Sequence, residues 1–190
     1  TMAQSIEDEQ VRVVEAVVQK VSIPVSVKLS PFYTNPLQVI DRMAAAGAKG
    51  FVLFNRLFEP DINLESLKHA TPFNLSTVGD YKLSLRYAGM LFNKINADVC
   101  ASTGIYSGND IAKLLLAGAG AIQTVSALYK HKPSIIGSML NELETFMQMH
   151  NYESIADFRG LLSRDKVKDP YIYKRAQYID LLLHSEKIFP

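Results

Sequence analysis

The sequence predicts an α/β fold, about half of an α/β barrel. Three observations carry that expectation. Short apolar strand patterns alternate with helix patterns along the chain. Successive strands start roughly 25, 48 and 24 residues apart, and each unit is closed by a glycine or another turn former. Strands alternating with helices in this way form parallel βαβ units.

From Ile6 to Val21, apolar residues fall at Val11, Val14, Val17, Val18 and Val21, which is helical spacing. Ser5 is placed to cap this helix, with Glu7 and Asp8 in its first turn, where negative charge suits the helix dipole. Ile23-Pro24 breaks it, and the valine-rich PVSVKLS that follows reads as a strand. A helix pattern spans Leu37 to Ala46 and ends at Gly47, before a second strand from Lys49 to Asn55. A long loop is expected from Arg56 to Val78, followed by a helix from Asp80 to Ile95. Long loops at the C-terminal ends of barrel strands are usually functional. The third strand is ADVCAS, Ala97 to Ser102; a helix then spans Asn109 to Ala117 and closes at Gly118. The fourth strand is AIQTVS, Ala121 to Ser126. Beyond Lys130 the pattern turns helical, with Pro133 to Met149 and then the shorter pieces SIADFRG and YIYKRAQYIDLLLH. Residues 1–150 are therefore assigned to the half-barrel, and 151–190 to a helical extension packed on it.

The bulk numbers exclude several classes. With 190 residues, 48% of them apolar and 21% charged, the chain suits one folded domain and not global disorder. A net charge of +1 leaves no electrostatic footprint for nucleic acid. No apolar run reaches the ~18 residues of a membrane span, so a cytoplasmic protein is expected. The lone Cys100 cannot form an internal disulfide and, with no basic neighbour in sequence, reads as a buried structural thiol. The four histidines show no metal-ligand spacing.

Candidate chemistry gathers at the strand ends. In PVSVKLS, Val25, Val27 and Leu29 share one face, and Ser26 and Lys28 share the other. If the apolar face meets the helices, Lys28 points toward the barrel axis near the end where active sites lie. A strand-end lysine can equally snorkel to solvent, and alternation leaves both readings open. Asn55 ends the second strand; its amide donates and accepts at once, which suits reading a planar heterocycle, although asparagine is also a common turn former. After the third strand, Gly104 permits close backbone approach, and Ser107 or Asn109 is placed to cap the next helix. After the fourth strand, Ser126 stands at another helix start. Turns after two adjacent terminal barrel strands form a phosphate cradle, and the pair is a stronger signal than either turn.

IPVSVKLSP, FVLFNR, ASTGI and AGAGAIQTVSALY, in that order and spacing, resemble the C-terminal half of the dihydroorotate dehydrogenase family. These are FMN-dependent TIM (β/α)8 barrels, and the flavin domain of dihydropyrimidine dehydrogenase has similar segments. The nearest pattern is that of dihydroorotate dehydrogenase-like proteins in which FNR is followed by PDI and a later DFRG, here Phe54-Asn55-Arg56, Pro60-Asp61-Ile62 and Asp157-Phe158-Arg159-Gly160. The resemblance implies that Lys28 contacts the flavin ring and that Asn55 contacts a pyrimidine substrate. It implies that Thr103 and Gly104 form the first phosphate turn, and that Val125 (through its backbone) and Ser126 form the second. The family commonly has two glycines where this chain has Thr103-Gly104, a glycine at Val125, and Ser or Thr at Arg56.

The four strands correspond to the fifth through eighth of the family barrel. The family's general base, a cysteine or serine after the fourth strand, is matched by no residue here, so no catalytic residue is assigned. The expected function is that of a flavin oxidoreductase acting on dihydroorotate or a related dihydropyrimidine, present as a fragment. Three alternatives remain: an inactive half-barrel that folds by dimerising or by joining its missing half, a flavin domain like that of dihydropyrimidine dehydrogenase, and a phosphate-binding barrel enzyme without flavin. Open strand edges favour association in either case.

Overall fold

The computed structural model describes residues 2–57, 59–71 and 74–173. Helix α1 (Ala3–Lys20) opens the chain. It starts earlier than its periodicity suggests, with Met2 as N-cap, and the Ser5 hydroxyl donates to the Met2 carbonyl at 2.7 Å. A capping hydroxyl must accept from the next turn's N–H groups, so Ser5 is not the cap. Glu7 and Asp8 consequently lie beyond the first turn. Asp8 instead pairs with Arg42 of α2 (Pro36–Ala45), and that guanidinium holds its carboxyl below the usual range.

The strands are β1 (Ser26–Leu29), β2 (Gly50–Leu53), β3 (Asp61–Asn63), β4 (Lys68–Ala70), β5 (Asp98–Ser102) and β6 (Ala121–Gln123). Four of them form one parallel sheet in the order β1-β2-β5-β6. Its register aligns Lys28 with Val52, Val52 with Cys100 and Cys100 with Ala121. The remaining helices are α3 (Lys82–Leu91), α4 (Gly108–Ala117), α5 (Ser126–His131) and α6 (Ile135–Met149). Asn35 caps α2, accepting from the Gln38 N–H. Ser107, one of the two expected candidates, caps α4 through a reciprocal capping box with Asp110.

The alternation along the strands separates two faces. Leu29, Phe51, Leu53, Val99 and Ala101 are buried against the helices, together with Ile40, Met43, Ala88 and Leu114. The opposite face carries Ser26, Lys28, Gly50, Val52, Cys100, Ser102 and Gln123, and of these only Ser102 is buried. In a closed barrel this second face would be packed interior.

The loop after β2 contains structure that its sequence does not announce. β3 and β4 pair as an antiparallel hairpin, turned by Asn63, whose side chain accepts from the Ser66 N–H and hydroxyl. Asp61–Asn63 and Lys68–Ala70 are mostly exposed and polar, so no apolar alternation marks them.

The DFRG segment clasps the far end of the sheet. Asp157 accepts from the Ser154 and Glu153 N–H groups, and Phe158 is fully buried between α4 and α6 residues. The Arg159 guanidinium donates to Asp98 at the start of β5 (2.9 Å) and lies over the Phe92 ring. Residues 151–173 include two short 3-10 turns, Ile155–Asp157 and Pro170–Tyr173. The helix expected over 171–184 falls outside the described residues from 174 onward. Among the described residues, no helix is long and apolar enough to cross a membrane, and no cluster of three or more His, Cys, Asp or Glu could hold a metal.

Candidate functional site

The sequence-identified residues occupy the C-terminal ends of the parallel strands, in three connected places. Lys28 stands on the inner face of β1. Its ammonium donates to Gln123 Oε1 on β6 at 3.0 Å. Strands three apart in a flat sheet lie ~14 Å from one another, so this bond needs a sheet curled as a barrel wall is. Lys28 crosses the row that holds Cys100. Burial pushes the Cys100 thiol up in pKa, with the Lys28 charge acting against it. No carboxylate of the described residues is within ion-pair distance of Lys28.

Asn55 follows β2. Its backbone N–H donates to the Leu29 carbonyl at 2.7 Å, which continues the β1–β2 ladder past the strand end. The residue is exposed and lines a cavity of about 210 Å³ together with Phe32, Phe54, Arg56, Asp80 and Thr103. Arg56 does not reach toward open space. It donates to Asp80 at 2.8 Å and to Asn74 at 2.8 Å, and so ties the end of β2 to the loop that precedes α3. Burial works against the Asp80 charge, but bonds from the Thr77 N–H and hydroxyl and the Arg56 guanidinium hold its carboxyl below the usual range.

The two expected phosphate turns follow β5 and β6. Thr103 and Gly104 both take left-handed backbone, at φ 80° and 71°. A β-branched residue rarely adopts that conformation; the Thr103 hydroxyl donates to the Phe54 carbonyl at 3.2 Å and ties this turn to the end of β2. Thr124 donates to the Ile105 carbonyl at 2.9 Å, joining the two turns. Val125 is the residue before α5 and is 53% exposed. Its N–H has no partner among the described residues.

Ser76, which nothing local in the sequence marks, links the two turns. Its Oγ accepts from the Gly104 N–H at 3.1 Å, and its own N–H donates to Ser126 Oγ at 2.9 Å. Its carbonyl accepts from the Tyr106 hydroxyl and from the Lys130 ammonium at 3.2 Å. Lys130 also lies over the Tyr106 ring. A cation therefore stands beside the two turns, on α5, four residues after Ser126. No motif in the sequence marks Ser76, Gln123 or Lys130 as part of the site: Ser76 lies in a long loop, Gln123 within a strand, and Lys130 where the strand–helix alternation ends. The inward alternation of β6 is the one signal that could have found Gln123.

The family model for dihydroorotate dehydrogenase matches residues 2–147. The dihydroorotate dehydrogenase B (NAD(+)) catalytic subunit of Geobacter sp. (strain M21) is 31% identical over 154 residues, 79% of this chain and 50% of that protein. The corresponding subunit of Thermoplasma acidophilum is 28% identical over 156 residues, 80% of this chain and 51% of that protein. The chain thus spans about half the length of the curated relatives it matches. The crystal structure of ligand-free DHODH from Eimeria tenella aligns with a TM-score of 0.63 at 18% identity, over 82% of this chain and 50% of that one. At that identity the likeness concerns the fold: four parallel strands and their helices match part of an α/β barrel.

Proposed function

The chain belongs to the dihydroorotate dehydrogenase family, and from that premise we propose that it forms the cofactor-holding part of a cytoplasmic FMN-dependent oxidoreductase acting on dihydroorotate or a related dihydropyrimidine. The observation that carries the reading is the convergence of the turns after β5 and β6 on Ser76, beside Lys130, with Ser126 of the second turn three positions along the chain from Gln123, the partner of Lys28.

The residues present fit such a cofactor at both ends. The unpartnered Val125 N–H, the Ser126 hydroxyl and the Lys130 ammonium suit a phosphate monoester, and the left-handed turn at Thr103 and Gly104, whose Gly104 N–H is committed to Ser76 Oγ, shapes the space beside them. Lys28, a cation with no carboxylate paired to it, suits the ring end. When bound, FMN supplies the two-electron redox chemistry. Lys28 offsets negative charge that builds on the ring as it is reduced. Asn55, exposed in the cavity it shares with Thr103, presents one donor group and one acceptor to the edge of a pyrimidine. Arg56 is committed to Asp80 and Asn74 and shapes that cavity without reading the substrate. None of the described residues is assigned as general base. The inner sheet face is only partly covered and β1 and β6 are edge strands, so we propose association with further βα units, either a second copy or the complementary half of a barrel.

Reconstitution tests the reading. The full chain, incubated with FMN and desalted, is expected to retain a flavin absorbance spectrum, and Lys130→Ala together with Ser126→Ala is expected to weaken retention. A chain that returns no flavin absorbance refutes the proposal. Light scattering at micromolar concentration tests the association, and a clean monomer counts against it. The exposed inner face also favours a second reading, a folded half-barrel that dimerises without activity; it predicts a dimer that retains no flavin.

A further inference from the structure

We infer that Gln123 is a positioning residue that fixes the Lys28 ammonium over the inner face of the sheet while leaving its charge uncompensated. The inference deepens the flavin reading given above and rests on it.

The argument begins with the chemistry of the two side chains. A lysine ammonium is a compact point charge on a stem with four rotatable bonds, and by itself it samples a wide volume of solvent. Lys28 is itself exposed, between half-buried Val27 and buried Leu29 on β1. Its ammonium is nonetheless bonded to Gln123 Oε1 at 3.0 Å, to a residue 95 positions away in the chain. The bond crosses β2 and β5, and therefore holds the charge over the middle of the inner face and not at the β1 edge.

The identity of the acceptor matters more than its position. A carboxylate at 123 would hold Lys28 at least as firmly, but it would cancel the positive charge that a reduced heterocycle requires. A leucine would keep the volume and lose the tether. Glutamine supplies a neutral acceptor, so position is fixed and charge is retained. Gln123 is also three residues before Ser126, on the strand that leads into the second phosphate turn. A cofactor anchored by its phosphate at that turn and the cation held by Gln123 are thereby referred to the same strand. Gln123 is not assigned any contact with the cofactor or substrate; it acts through Lys28.

Two variants separate tether from charge, and two readouts separate this inference from the flavin reading. The first readout needs no cofactor: the acylation rate of Lys28 by a water-soluble N-hydroxysuccinimide acetate, mapped by mass spectrometry on the full chain. Gln123→Leu is expected to raise that rate by about tenfold, the low end for one hydrogen bond to a charged group, as suits an exposed lysine, and Gln123→Glu is expected to leave it low. The second readout is the ratio of affinities for reduced and oxidised FMN, measured as the flavin midpoint potential. Both variants are expected to lower that ratio by about tenfold, ~30 mV for a two-electron couple. In the Lys28→Met background Gln123→Leu is expected to change the potential far less than it does with Lys28 present. Unchanged Lys28 acylation in Gln123→Leu overturns the tether. Equal Gln123→Leu shifts with and without Lys28 overturn the positioning role. A wild-type chain that retains no flavin overturns the reading of the site, a separate result that the acylation rates distinguish from loss of the tether.

Discussion

Replacing Ser76 by alanine removes a single oxygen and isolates one bond of the junction between the two turns. Ser76 is 4% exposed, and its Oγ is the acceptor for the Gly104 N–H at 3.1 Å. Gly104 is itself buried, so water has little access to replace the lost partner. The other three contacts of Ser76 use its backbone N–H and carbonyl and survive the change. The cost is therefore that of one buried, unsatisfied backbone donor, ~1–3 kcal/mol. With a urea dependence of about 2 kcal/mol per molar, a mid-range cost of about 2 kcal/mol moves the unfolding midpoint down by about 1 M. Urea denaturation followed by far-ultraviolet circular dichroism measures it, with hydrogen exchange of the Gly104 amide as the local readout. A midpoint shift below about 0.2 M at unchanged slope, with Gly104 still protected, would refute the assignment of Ser76 as the junction between the turns.

Gly104→Ala is expected to be worse than Ser76→Ala, because φ is 71° and an added Cβ would lie 2.6 Å from the Asp80 Cβ and 2.7 Å from the Thr77 carbonyl; a thermal midpoint equal to wild type contradicts that geometry. Phe158→Ala is expected to cost ~3–5 kcal/mol, since the ring is fully buried between α4 and α6 residues; denaturant titration checks it. For Asp80, the folded pKa is depressed, so its contribution is present above the ordinary carboxylate value, about pH 4, and is lost as pH falls through the lower folded value. The stability gap between wild type and Asp80→Asn should therefore narrow from pH 7 to pH 3, and a gap that does not change with pH would show that the Arg56 and Thr77 bonds do not stabilise the charged form.

Much of this architecture is legible in the sequence, for local reasons. Helical spacing located α2, α4 and α6 to within a few residues, because amphipathic periodicity is a property of the segment alone. Ser107 and its capping box with Asp110 are likewise a three-residue matter. Alternation in PVSVKLS placed Lys28 opposite the helix-facing residues, and it is on that face of β1. Ser5 is not the cap its sequence suggests, because a serine near a helix start can serve the N–H groups or the preceding carbonyl, and the chain's entry angle decides which. The sequence does not announce the β3–β4 hairpin, because its strands are short and polar and its turn is held by the Asn63 side chain, without an apolar pattern to mark it.

Local patterns along the chain specify its units: which stretches are strands and helices, which face of β1 carries the lysine, and where the two glycine- and serine-bearing turns fall. How those units meet at a site is set by the folded arrangement. Lys28 finds Gln123 across 95 residues because the sheet curls, and Ser76 joins Gly104 and Ser126 from 28 and 50 residues away because a loop folds back between the two turns. Curvature accumulates over several strands, and the path of a loop depends on what it closes against. Neither quantity belongs to any one segment, so no local pattern could contain it.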